Sequence, residues 1–124
     1  MFLNLLSIFI GGGAGSVLRF LISLLSKKYF LSAIFATFFV NAAGCFLIGY
    51  IFGAFIRSDI FPDYIKLFII SGFLGGFTTF STFSLEAFEL LKEGKTIEAI
   101  FYIFSSLVFG LLFTYFGFII SGAK

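Results

Sequence analysis

Long apolar runs alternate with short polar breaks along the whole chain. Four runs have the length of a membrane span, roughly Leu3–Leu25, Leu31–Ile56, Ile65–Leu91 and Ile97–Ile120, and the breaks read SKK, RSDIFPD and KEGKT. At about 1.5 Å of rise per residue, each run is long enough to cross a hydrocarbon core of about 30 Å. The pattern predicts an all-α membrane protein with four transmembrane helices, forming a single transmembrane domain over residues 1–124.

Composition supports the bilayer as the solvent and excludes several kinds of chemistry. The chain is 60% hydrophobic and only 11% charged, more apolar surface than a soluble domain of this length can hide. It has no His, which excludes imidazole metal sites, His proton relays and His-activated nucleophiles. No credible nucleophile–base pair is visible, so we expect no enzyme. The net charge of +2 is too small to indicate nucleic-acid binding.

The amino-terminal run resembles a signal peptide only superficially. MFLNLLSIFIGGGAG lacks a basic n-region, and its apolar pattern continues past Arg19 to Leu25. We therefore expect a retained helix. The single Cys45 lies inside an apolar run and forms no intrachain disulfide.

Positive charge is almost evenly divided between the two sides of the predicted bundle. If all four runs cross, one side receives Arg57, Lys66 and Lys124, and the other receives Lys27, Lys28, Lys92 and Lys95. The positive-inside rule then gives almost no bias. Two interpretations stay open: one weakly favoured orientation, or insertion in both orientations, which allows an antiparallel homodimer. Four short helices enclose little space, so we expect at least a dimer.

Small residues at close spacing indicate tight helix contacts. Gly11 and Gly15 form a GxxxG motif in the first run, and further glycines lie in the second and third runs, at Gly44, Gly49, Gly72 and Gly76. The run from Gly72 to Gly76 also lowers helix stability. A helix broken there would free carbonyls that protein, water or a cation must satisfy.

Two polar side chains stand well inside the first two runs. Arg19 is the only charge well within a predicted span, and those two runs hold no Asp or Glu to pair with it. It either snorkels to the helix end or forms an electropositive vestibule for anions. Asn41 lies in mid-span, where it forms either an interhelical hydrogen bond or a donor site for an anion. Thr37 lies one turn earlier on the same face.

The third run carries the densest polar chemistry, in the stretch GGFTTFSTFS. Phe77, Phe80 and Phe83 recur every three residues, and this spacing alone favours a packing stripe. Ring edges are electropositive, however, so the same rings can face an anion. The hydroxyls either bond back to the helix or line a wet path, namely those of Thr78, Ser81, Thr82 and Ser84.

Three segments, GFLGGFTTFSTFS, GGGAGSVLRF and FVNAAG, resemble the Fluc (CrcB) fluoride channel family, and the resemblance covers all four runs. It implies a passive, fluoride-selective channel that exports fluoride across the bacterial inner (cytoplasmic) membrane and so reduces fluoride toxicity. It further implies a multi-pass, dual-topology, antiparallel homodimer with two pores, a break in the third helix and a central structural sodium ion.

The same resemblance implies roles for individual residues. Phe80 and Phe83 would be pore-lining rings and Asn41 a pore-facing amide. The vestibule and the polar track would comprise Arg19, Thr37, Ser81, Thr82, Ser84 and Glu86. The backbone carbonyls of Gly75 and Thr78, one pair from each subunit, would bind sodium.

The fourth run matches the family less clearly. The position of a pore-side serine in many members falls on Gly110, and possible substitutes are Ser105, Ser106 and Tyr102. The residues themselves indicate a small anion, and the resemblance supplies fluoride.

Two other functions compete with a channel. A small multidrug exporter needs a membrane-embedded carboxylate, usually in its first helix, and Met1–Leu25 contains none. A non-transporting assembly subunit would explain the glycines, but it leaves Arg19, Asn41 and the hydroxyls of the third run as unexplained costs.

Overall fold

The computed structural model describes residues 1–29, 32–57 and 61–122, and all regular structure within these ranges is helical. The helices are α1 (Phe2–Lys28), α2 (Ala33–Arg57), α3 (Asp63–Lys66), a π-helix (Leu67–Leu74), α4 (Gly75–Phe77), α5 (Phe80–Lys92) and α6 (Thr96–Ile120).

Four helical segments are long and apolar enough to cross a membrane: Phe2–Lys28, Ala33–Ile56, Asp63–Lys92 and Thr96–Ile120. We call Asp63–Lys92 the third span. The prediction of an all-α protein with four membrane spans is confirmed. The predicted start at Leu31 lies outside the described residues, as does Lys124, and the other predicted ends lie within three residues of the observed ones.

The first half of the third span packs against α1 through glycines. A Cβ atom at Gly11 would collide with the carbonyl oxygen of Phe68, and one at Gly15 would collide with that of Phe73. In return, a Cβ at Gly72 would lie 3.0 Å from the Cα of Gly11. The GxxxG motif therefore lets two backbones approach to a distance that no larger residue allows.

The second and fourth spans are joined in the same way. A Cβ at Gly49 of α2 would collide with the carbonyl oxygen of Thr114 in α6, and one at Gly117 would collide with that of Phe46. Two glycine-packed helix pairs result, α1 with the first half of the third span and α2 with α6.

The second half of the third span, α5, lies against the α2–α6 pair. Phe83 and Ala87 of α5 form a buried cluster with Tyr102 of α6, and Ile34 and Phe38 of α2 pack against it. The bundle therefore changes helix partners in the middle of the third span.

The third span is broken, but not in the glycine run where the sequence predicted the break. Gly72 lies within the π-helix and Gly76 within α4, whereas the helical path is interrupted at Thr78 and Thr79. The glycines serve close packing on α1: a Cβ at Gly76 would collide with the backbone of Gly12.

Candidate functional site

The break in the third span is a two-residue extended segment. Thr78 has φ −79° and ψ 158°, and Thr79 has φ −148° and ψ 114°. Thr79 then caps α5, because its hydroxyl accepts a hydrogen bond from the N–H of Thr82 at 3.3 Å. The break lies inside a membrane span, so the backbone groups it frees need partners from elsewhere in the protein.

Helix α1 supplies donors to one freed carbonyl. The Gly76 oxygen accepts hydrogen bonds from Nε of Arg19 at 3.1 Å and from the hydroxyl of Ser16 at 3.4 Å. Within the described residues, no carboxylate lies at salt-bridge distance from Arg19. Its guanidinium is therefore directed to the break rather than to an acid.

Helix α2 contacts the break through Asn41. The side-chain Nδ2 of Asn41 donates to the carbonyl oxygen of Thr79 at 3.0 Å, and the N–H of Thr79 donates to Oδ1 of Asn41 at 2.8 Å. Of the two interpretations of Asn41, the interhelical hydrogen bond is present in this structure. The second hydrogen on Nδ2 stays available, so the pore-facing role stays a prediction.

The carbonyls of Gly75 and Thr78, predicted to bind sodium, lose their helical donors at the break. In a continuous α-helix the Gly75 oxygen would accept from the N–H of Thr79, which instead donates to Asn41. The Thr78 oxygen would accept from the N–H of Thr82, which instead donates to the hydroxyl of Thr79. Backbone carbonyls freed in this way suit an alkali cation, so these residues fit the predicted ion.

A cavity of about 210 Å³ lies on one side of the break, between α1, α2 and α5. We call it the arginine cavity, because Arg19 is the one charged residue among its described lining residues. Its other polar lining residues are Ser16, Ser23, Thr37, Thr79 and Thr82. One cation among hydroxyl side chains, with no acid among the described lining residues, gives an environment that attracts anions. Arg19 and Thr37 thus line the same cavity, and their role in a vestibule stays a prediction.

Glu86 is held by two hydroxyls from two other helices. Its Oε1 accepts a hydrogen bond from the hydroxyl of Thr37 at 2.8 Å, and its Oε2 accepts one from the hydroxyl of Tyr102 at 2.8 Å. All three side chains are buried. The Tyr102 contact could not be predicted from spacing, although a carboxyl group inside a span does require donors from its neighbours.

The three phenylalanines of the third run do not form one stripe. Phe77 and Phe83 are buried, whereas Phe80 is 77% exposed. Within a single chain the three rings do not form one buried stripe, because the extended residues between Phe77 and Phe80 reset the helical phase. The rings of Phe80 and Phe83 lie 5.7 Å apart at 45°, and the ring of Phe83 lies 5.1 Å from that of Tyr102 at 62°.

A second cavity, of about 400 Å³, lies on the opposite side of the break and brings most of the other predicted residues together. We call it the phenyl cavity. Its lining includes Asn41, Gly75, Thr78, Phe80, Phe83 and Ser106. Thr79 lines both cavities, so the break is the element between them.

The predicted hydroxyl track is divided between different faces of α5. Thr82 faces the arginine cavity, and its Oγ1 lies 2.9 Å from that of Thr79. Ser81 and Ser84 are exposed and line neither of the two cavities. The helical turn of 100° per residue separates Thr82 from its serine neighbours. The hydroxyl of Thr79 lies 2.9 Å from that of Thr82 and 3.5 Å from that of Ser81. The polar track of Ser81, Thr82 and Ser84 stays a prediction.

Ser106 of α6 places its hydroxyl in the lining of the phenyl cavity. Its oxygen is buried and has no hydrogen-bond partner among the described residues, whereas the hydroxyl of Ser105 donates to the carbonyl of Tyr102. Ser106 also lines a small cavity beside Cys45 and Gly110. Of the three candidate substitutes, Ser106 has the free donor.

Together these features define an α-helical membrane protein with four spans, whose third span is broken between an arginine-lined and a phenyl-lined cavity. Residues 6–118 match the family described as CrcB-like protein, Camphor Resistance (CrcB), and the chain belongs to the CrcB family.

Similar proteins cover nearly the whole chain. It is 44% identical over 113 residues to the fluoride-specific ion channel FluC of Flavobacterium psychrophilum, covering 90% of this chain and 91% of that protein. It is 40% identical over 112 residues to the FluC protein of Aquifex aeolicus, covering 90% of both chains. It is 38% identical over 120 residues to that of Hydrogenobaculum sp., covering 97% and 98%. All three are named as ion channels, which are not enzymes.

Proposed function

We propose that this chain is a fluoride-selective passive ion channel of the bacterial cytoplasmic membrane. In this proposal it functions as a dual-topology, antiparallel homodimer with a structural sodium ion. The observation that carries the proposal is the broken third span, which separates the arginine cavity from the phenyl cavity. Relatives that align over nine-tenths of the chain are named fluoride-specific ion channels.

The arginine cavity is the vestibule in this proposal. Arg19 raises the local concentration of anions, and the hydroxyl of Thr82, which accepts from that of Thr79, offers its own hydrogen to an ion that has begun to lose water. Both oxygens of Glu86 already accept hydrogen bonds, so its charge is shielded by Thr37 and Tyr102. This arrangement lets an anion path run past an acid.

The phenyl cavity provides the part of the path that is lined by aromatic rings. The rings of Phe80 and Phe83 present electropositive edges, and Ser106 and the second Nδ2 hydrogen of Asn41 add neutral donors. Fluoride is small and strongly hydrated, so leaving water requires close donors along a narrow route. A wide, permanently charged pore would favour larger halides, which lose water more readily.

A second copy of the chain is required by the sodium site. One chain offers two free carbonyls, from Gly75 and Thr78, which is too few oxygen ligands to replace the hydration shell of a cation. Gly75 and Phe80 lie on the surface of a single chain, where a second copy can cover them. Two copies related by a two-fold axis would provide four carbonyls. Ser81 and Ser84 are exposed on the same segment and would then face the partner.

The membrane potential is sufficient to drive export. Fluoride enters cells as neutral HF and dissociates near neutral pH, so the anion is left inside. A potential of about 100 mV contributes about 2.3 kcal/mol per charge. This free energy supports a fluoride gradient of roughly fifty-fold without ATP or a coupled proton.

Fluoride efflux from proteoliposomes tests the proposal. Vesicles loaded with potassium fluoride or potassium chloride are diluted into impermeant anion, and valinomycin is added to release potassium. We expect rapid fluoride efflux and chloride efflux near that of empty vesicles. Equal rates for the two halides would contradict selectivity.

Orientation and sodium are tested separately. In intact cells, an impermeant reagent that labels tags at both termini is expected to reach about half of the chains, because half are inverted. A single fixed orientation would remove the antiparallel dimer. In detergent, sodium is expected to raise the thermal stability of the dimer, whereas potassium at equal ionic strength is not.

A further inference from the structure

Asn41 makes an unusual contact, because two of its polar atoms bind the same residue. Its Oδ1 accepts from the Thr79 N–H at 2.8 Å, while its Nδ2 donates to the Thr79 carbonyl at 3.0 Å. The contact joins α2 to the broken third span, across 38 residues of sequence. Both distances are those of well-formed hydrogen bonds.

This pair of hydrogen bonds determines which acceptor the Thr79 N–H binds. In an unbroken helix that group would donate to the Gly75 carbonyl, and the peptide would be helical. Asn41 takes the N–H instead, which leaves Thr79 extended and the Gly75 oxygen without its helical donor. A side chain with only donors, such as that of Arg19, cannot accept this N–H.

Few side chains could replace an amide here. The position requires a hydrogen-bond acceptor and a hydrogen-bond donor side by side in one side chain, and an Asn amide offers both. A serine or threonine hydroxyl offers one oxygen, and an ionised aspartate offers acceptors only. The backbone groups of Thr79 would then lose one or both of their protein partners inside a membrane span.

We propose that Asn41 is a positioning residue that keeps the third span broken at Thr78 and Thr79 and so leaves the Gly75 carbonyl free for a cation. The claim that Asn41 keeps the span broken stands on the hydrogen bonds alone. The claim that the freed Gly75 carbonyl serves a cation rests on the sodium site of the proposed function. Asn41 thereby links α2 to the cation site without being a ligand of the cation.

The wild-type protein provides a test that needs no substitution. The sequence contains two asparagines, Asn4 and Asn41, and no glutamine, so its side-chain amide NMR signals belong to two residues. In lipid nanodiscs without fluoride, we expect one Nδ2 proton of Asn41 to exchange with water at least about tenfold more slowly than those of Asn4. Equal exchange at the two residues would overturn the inference.

Substitution tests the consequence for the backbone and for the cation. Asn41→Ala is expected to speed exchange of the Thr79 amide proton by at least about tenfold. It is also expected to raise the sodium concentration for half-maximal thermal stabilisation by a similar factor. Asn4→Ala is the matched control and should change neither value. If Asn41→Ala does not fold, Asn41→Asp keeps the acceptor, and its Thr79 amide should stay as protected as in the wild type.

The outcomes separate this inference from the proposed function. If Asn41→Ala slows fluoride efflux while Thr79 exchange and the sodium midpoint stay at wild-type values, Asn41 acts in the ion path only and the inference is wrong. If sodium does not raise the thermal stability of the wild type, the proposed cation site is refuted. The positioning role of Asn41 is then decided by the exchange rate of the Thr79 amide proton alone. A wild type that conducts no fluoride would refute the channel but leave both exchange measurements valid.

Discussion

The two halves of the third span differ in composition and make different kinds of contact. The first half, from Asp63 to Phe77, brings its backbone against α1 through glycines and carries few polar side chains. The second half, from Phe80 to Lys92, carries buried polar groups and rings against α2 and α6. The break lies where one partner helix is exchanged for the other.

This difference teaches that packing and candidate chemistry are separated along one helix. The glycine half provides close contact, which side-chain bulk would destroy. The polar half provides hydrogen-bond donors and ring edges. Removing a polar group or a ring should therefore affect this half more than a change in side-chain size. Substitutions in the two halves, or in the α1 residues that contact them, should therefore give different phenotypes, and four experiments test that division.

The largest effect is expected at the glycine contact of α1. Gly15→Val should lower the free energy of unfolding by more than about 3 kcal/mol, because the new side chain would strike the backbone around Phe73. Gly13→Val is the control, since a Cβ at Gly13 meets nothing within 4 Å. Thermal unfolding in detergent measures both. Equal stability of the two variants would show that the first half is not closely packed.

The next effect concerns the buried acid of the second half. Glu86→Ala leaves the hydroxyls of Thr37 and Tyr102 without their acceptor and should cost about 2 kcal/mol of stability. Glu89→Ala, at an exposed acid of the same helix, should cost nothing measurable. If Glu86→Ala were as stable as Glu89→Ala, the two hydrogen bonds would not contribute to folding.

An exposed ring of the second half should matter for transport rather than for stability. Phe80→Ile is expected to leave an assembled, stable protein and to lower fluoride efflux about tenfold, because the ring edge is lost. Phe88→Ile, at another exposed phenylalanine of α5, should leave efflux unchanged. A packing role for Phe80 predicts the reverse: lost assembly, or unchanged flux in the protein that assembles.

The smallest effect is expected from the charge of the arginine cavity. Arg19→Met should reduce fluoride efflux about threefold at low ionic strength, and the deficit should shrink at about 1 M salt, since salt screens the attraction. Arg19→Lys retains the charge and should lie closer to the wild type. A deficit that does not depend on salt would indicate that Arg19 acts only through its hydrogen bond to Gly76.

The sequence predicted local features well and long-range contacts poorly. The spans follow from uncharged runs bounded by charged breaks, so their ends were predicted within three residues where the structure describes them. The GxxxG contact was predicted for a similar reason, because glycine spacing is local.

The break was predicted in the third span but placed too early. Glycine content alone indicated residues 72–76, whereas the partners that hold the break come from other helices: Arg19 from α1 and Asn41 from α2. Once the break falls after Phe77, the phase of α5 changes. That change explains why Phe80 is exposed and why Ser81 and Ser84 part from Thr82. The pairing of Glu86 with Tyr102 is equally non-local.

The reversal potential of the purified protein in a planar bilayer tests the central claim most directly. With fluoride on one side and chloride on the other at equal concentration, the voltage at zero current depends only on the ratio of the two permeabilities. We expect a large reversal potential, with the sign that fluoride permeation requires. A reversal potential near zero, or one of the opposite sign, would contradict the assignment of this chain as a fluoride-selective channel.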